Sequence, residues 1–131
     1  MNRNSSLLIL ILAAIVLGLF LWPRIARAQQ DPDSQGLARY ERAGSELTKL
    51  HKVDFYLFVA TREAAYRLAS KIKELHFETN VAPMKPGQWL VLATKLMLPT
   101  QADLVFIREQ LTALAAAEKG QYSHWDTTVV K

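Results

Sequence analysis

Three groups of side chains in this 131-residue chain could do chemistry: the histidines, a set of Lys and Arg, and the aromatics near the C-terminus. His51, His76 and His124 fall in three separate stretches, with no i,i+4 pair and no carboxylate cluster beside them. A metal or acid–base site would need them to converge by folding alone, so they read as scattered surface histidines. The chain has no cysteine, which excludes disulfide frameworks and thiolate metal sites. It also shows no Gly-rich phosphate loop, no G-x-S-x-G elbow, no paired catalytic carboxylates and no H-x-E. No catalytic residue, metal ligand or cofactor site is assigned, and the expectation is a protein without enzymatic activity.

The second group is Arg62, Arg67, Lys71 and Lys73, which could form a stripe for nucleic acid. Glu63 precedes Arg67 by four residues, the favourable orientation for an ion pair, so a solvated helix face is the plainer account. Net charge agrees. The formal +4 includes Arg3, Arg24 and Arg27, which flank a hydrophobic run; removing these three from the 16 basic residues leaves 13 against 12 acidic ones. A domain that grips phosphates by counterion release carries a clear basic excess, and residues 29–131 do not. No direct contact with nucleic acid is expected.

Trp89, Tyr122 and Trp125 form the third group. Aromatics are enriched at interface hot spots, but they are equally core and sheet-edge material. Trp89 suits the core. Trp125, beside polar Ser123, His124 and Asp126, suits either role.

These residues must be positioned by the elements around them. From Leu7 to Trp22 the chain reads LLILILAAIVLGLFLW, and Ser5 and Ser6 extend the stretch to 18 residues. As a helix it would span roughly 27 Å, enough for a thin bilayer core. It is apolar all round, so it needs lipid; Trp22 suits the interface and Pro23 stops the helix. Residues 1–28 therefore read as a membrane anchor through residues 5–22, or as a signal peptide, since Ala26, Arg27 and Ala28 have the A-x-A form of a cleavage site.

Residues 29–36, QQDPDSQG, read as a linker. Leu37, Tyr40, Ala43 or Gly44, Leu47 and Leu50 recur at the spacing of an amphipathic helix, weakened by Gly44. Residues 53–60, VDFYLFVA, form a strand, and Thr61 can cap a helix whose buried stripe is Ala65, Leu68, Ala69, Ile72 and Leu75. Residues 77–81 alternate like an edge strand ending at Pro83, and Met84 to Gly87 make the turn. Residues 89–98, WLVLATKLML, are a second long apolar strand. Thr100 to Asp103 resembles a capping box, Leu104, Ile107, Leu111 and Leu114 give the next stripe, Gly120 ends it, and residues 122–130 form a last strand.

The order is a preceding amphipathic helix followed by β-α-β-β-α-β, an α+β ferredoxin-like arrangement, with one N-terminal transmembrane helix added. Its first and third strands are central, and here they are the most apolar. Phe55, Leu57 and Val59 lie on one side of the first strand, Tyr56 and Phe58 on the other; Leu90, Leu92 and Leu96 likewise oppose Trp89, Val91 and Met97. Two helices cover one face only. The other must be covered by the 37–50 helix, by a second copy in a homodimer, or by a partner protein.

Residues 87–99, GQWLVLATKLMLP, resemble the central strand of the regulator of ribonuclease E activity B (RraB-like) family. Residues 120–127, GQYSHWDT, resemble its closing motif, with Ser123 and His124 standing where Asp-Gly is usual. Residues 43–49, AGSELTK, running into Val53 to Phe58 and Glu63 to Ala65, follow the same pattern. The likeness covers about residues 37–131.

The resemblance implies a ferredoxin-like domain that inhibits ribonuclease E by binding the protein, not the RNA. The uncovered sheet face and the C-terminal aromatics make Tyr56, Phe58, Tyr122 and Trp125 the candidate partner-binding residues, and the resemblance makes ribonuclease E or a related scaffold the expected partner. The apolar run and the arginines just after it, not the resemblance, give the expectation of a single-pass protein of the bacterial inner membrane with its domain in the cytoplasm. Cleavage at Ala28 would instead release a periplasmic domain, serving as an envelope structural or assembly protein. An RNA-binding module is the third reading.

Overall fold

The computed structural model describes residues 31–131. The expected anchor or signal peptide at residues 1–28 lies outside them; among the described residues no helix is long and apolar enough to cross a membrane.

The first helix, α1, spans Pro32–Arg42. It starts inside the stretch expected as a linker and ends well before Leu50. Pro32 is its first residue, where a missing N–H costs nothing because that donor has no helical partner. Gly44, expected to weaken the helix, is what stops it. Its φ is +95°, its N–H donates to Glu41 O at 3.0 Å, and Ser45 N donates to Tyr40 O at 3.0 Å. That pair of bonds is a Schellman cap, which needs a left-handed residue at the glycine.

The remaining elements are β1 (His51–Val59), α2 (Arg62–Lys73), β2 (Glu78–Lys85), β3 (Gln88–Met97), α3 (Gln101–Ala117) and β4 (Gln121–Asp126). Both expected caps form: Thr61 Oγ1 accepts from Ala64 N and Thr100 Oγ1 from Asp103 N, each at 3.2 Å. β2 continues past Pro83 because it is an edge strand, where the lost donor disturbs no central ladder.

The sheet order is β2-β3-β1-β4, with β1 antiparallel to both β3 and β4 and β2 antiparallel to β3. Val53, Phe55, Leu57 and Val59 are buried on one face of β1, beside Val91 and Ala93 of β3. Leu68 and Ile72 of α2 and Leu104 and Leu111 of α3 close over them. Burying each large apolar side chain is worth about 1.5–3 kcal/mol, so this face holds the domain together.

α1 meets the sheet on that same face. Trp125 is directly opposite Phe55, is 7% exposed, and stacks on Tyr40 with ring centroids 5.6 Å apart. At Gly36 an added Cβ would sit 2.7 Å from the Trp125 ring, so only glycine lets the helix approach this closely. Two of the three covers considered for the open face thus remain, because the helix before β1 lies on the other side.

Candidate protein-interaction face

The open face is ordered by strand register. Four residues, Glu78, Thr94, Asp54 and Asp126, form one row across β2, β3, β1 and β4. The next row is Asn80, Leu92, Tyr56 and His124, and the one beyond it is Ala82, Leu90, Phe58 and Gln121. Lys52 and Leu96 pair on the other side of the acidic row, and Leu96 is 64% exposed. The face is therefore an aromatic and aliphatic patch with a carboxylate border.

Local contacts hold these groups in place. Thr94 Oγ1 donates to Asp54 Oδ1 at 2.6 Å, and the Tyr56 hydroxyl donates to Asp126 at 3.0 and 3.2 Å. Burial, and then the bond to Asp126, push the Tyr56 phenol up to about 12. It therefore stays protonated and donating through the physiological range. The His124 ring lies parallel to Tyr56 with centroids 4.4 Å apart, and its Nδ1 is 2.9 Å from Ser123 Oγ.

The four residues singled out from sequence are split by the fold. Tyr56 and Phe58 sit half-buried on the open face. Trp125 and Tyr122 do not join them. Trp125 is buried against α1, and Tyr122 lies opposite Leu57 and packs on the core. Simple alternation would put Tyr122 beside His124. The register shift at Tyr56/Leu57 inserts one residue in β4 and turns Tyr122 inward. That bulge falls at Ser123 and His124, and the residue missed in its place is His124. The signal was available in outline: the polar pair interrupts an otherwise aromatic strand.

His51 is not a surface histidine. It is fully buried, with Nδ1 2.7 Å from Lys49 O and Nε2 2.6 Å from Ser45 Oγ. A carbonyl can only accept, so in the neutral ring Nδ1 carries the proton and Nε2 accepts from the serine. Ser45 Oγ also accepts from Val130 N at 3.0 Å, and Glu46 N donates to Val130 O at 2.7 Å. The histidine is thus part of a tie between the α1–β1 loop and the C-terminal tail. Among the described residues no group of three or more His, Asp or Glu could hold a metal ion.

The basic residues of α2 are partly spent within the fold. Arg67 pairs not with Glu63 but with Glu118 at the end of α3, through Nε at 3.1 Å and Nη2 at 3.0 Å, and Lys71 Nζ reaches the same carboxylate at 3.5 Å. The Arg67 guanidinium holds the Glu118 carboxyl below its ordinary range. Arg62 lies over the Tyr66 ring at 5.4 Å.

An antiparallel β-α-β-β-α-β sheet with its helices on one side and an open, structured second face defines a ferredoxin-like α+β domain with a surface available to a partner. Residues 30–127 match the family described as Regulator of ribonuclease activity B, and the chain belongs to that family. No curated protein matches it.

Proposed function

We propose that this chain is a membrane-tethered regulator that restrains ribonuclease E by binding the nuclease itself, with the open sheet face as the contact surface. The observation that carries the reading is the family match over residues 30–127, coinciding with a domain whose second sheet face presents Tyr56, Phe58 and Leu90. The apolar run from Leu7 to Trp22 supports the tether, and the arginines just after it favour a cytoplasmic domain. The near-neutral charge of residues 29–131 and the Arg67–Glu118 pairing argue against RNA as the direct ligand.

The test is titration of ribonuclease E with the full chain in detergent micelles, following cleavage of an RNA substrate and, separately, a gel shift of the RNA alone. Slower cleavage with no RNA shift is expected; unchanged cleavage at saturating chain would defeat the proposal. Protease treatment of spheroplasts carrying a C-terminal tag, with intact mass of the membrane fraction, tests the placement. A protected tag on a full-length chain is expected. A mass beginning at Gln29 favours the exported envelope role instead.

A further inference from the structure

The carboxylate row on the open face has a spacing that specifies the shape of what lies on it. Asp126, Asp54 and Glu78 stand on β4, β1 and β2, with Thr94 of β3 between the last two. Neighbouring strands are about 4.8 Å apart, so Asp126 and Asp54 are one strand spacing apart and Glu78 lies about 10 Å further along. A helix lying across the strands rises about 1.5 Å per residue, close to one turn per strand. Its residues i, i+3 and i+10 then fall above Asp126, Asp54 and Glu78, and all three project from one side of the helix.

None of the three carboxylates takes part in an ion pair among the described residues. Two are already oriented by hydroxyl donors, Asp54 by Thr94 and Asp126 by Tyr56. Lys52, in the adjacent row of the same face, and Lys95, next to Thr94 on β3 with its Nζ over the Phe77 ring, are the cations nearest to the border. From the acidic row through the two following rows of Leu92 with Tyr56 and Leu90 with Phe58 the face runs along the strands for roughly 14 Å, wide enough for a helix with its side chains, about 10–12 Å across.

We infer that the open face receives an amphipathic helix of a partner protein, laid across the strands, with Arg or Lys at i, i+3 and i+10 over the carboxylate row and an apolar stripe over Tyr56 and Phe58. A helix rather than an extended strand is favoured because a strand crossing the sheet at right angles would repeat side chains every 6.6 Å or so, out of step with the strands. The inference deepens the ribonuclease reading by naming the chemistry of the bound segment, and it can be tested apart from it.

The probe is a synthetic 18-residue helical peptide with a leucine stripe and arginines at the three spacings, compared with the same peptide carrying Glu for Arg, each titrated into the full chain in micelles. The Arg peptide should bind, weakening as NaCl is raised from 50 to 300 mM, and the Glu peptide should not. The paired change Asp54→Asn with Asp126→Asn should cost about tenfold in affinity and remove most of the salt dependence. Phe58→Ala should cost about tenfold or more with the salt dependence kept. Circular dichroism melts confirm that each variant is folded. Equal binding of the two peptides, or variants that bind like the parent, would overturn the inference. So would a dimer that Phe58→Ala dissociates and that excludes the peptide, because the face would then belong to a second copy. Ribonuclease E that binds equally well to both variants defeats this inference and leaves the regulator reading standing. Arg-peptide binding without nuclease binding does the reverse.

Discussion

The Tyr56 hydroxyl donates to both carboxylate oxygens of Asp126, joining the middle of β1 to the end of β4 on the open face. The Tyr56 ring also lies parallel to that of His124, so both the hydroxyl and the ring of this residue are engaged by β4.

Ultraviolet titration of the tyrosines checks this directly. Tyr56 should ionise at about 12, well above the ordinary phenol. The folded protein holds its proton more tightly than the unfolded chain does, so the stabilisation is complete below pH about 10 and is lost as pH rises toward 12. Asp126→Asn should bring the titration back toward the ordinary value. An unchanged midpoint would mean that burial alone sets it.

The contact between α1 and the sheet depends on Gly36. Gly36→Ala places a methyl 2.7 Å from the Trp125 ring and should destabilise the domain by about 1–3 kcal/mol in urea unfolding. Trp125→Ala should cost about 3–5 kcal/mol. If Trp125 were instead a docking residue, its removal would weaken partner binding and leave the melt where it was.

The tie at the C-terminus is tested by Ser45→Ala. The change removes the partner of both the His51 Nε2 and the Val130 N–H in a buried setting, and should cost about 1–3 kcal/mol. Hydrogen exchange at Val130 should quicken while the amides of β1 and β3 stay protected. Uniform loss of protection would show instead that the tail is integral to the core.

Element order was readable in the sequence because the signals for it are local. Thr61 and Thr100 cap their helices as their positions suggested, the helix stripes are set by a 3.6-residue period, and the apolar runs of β1 and β3 mark the centre of the sheet. The doubling of apolar side chains on β1 also marked the second face as apolar, and Tyr56 and Phe58 stand there half-buried. Gly44 was the local signal misjudged: a glycine inside a periodic stretch weakens a helix or ends one, and only the bonds from Gly44 and Ser45 decide between the two.

What the sequence by itself determined, then, is the α+β class, the strand-and-helix order, the near-neutral domain and the apolar run that precedes it. The tertiary structure decided the sides. Which face takes α1 depends on Gly36 meeting Trp125, 89 positions apart in the chain, and no local period encodes that distance. Which aromatics share the open face depends on one extra residue in β4, because a single-residue shift reverses every side chain beyond it. The carboxylate row exists only through pairing of four strands, and that pairing is where residues remote in sequence acquire a common chemistry.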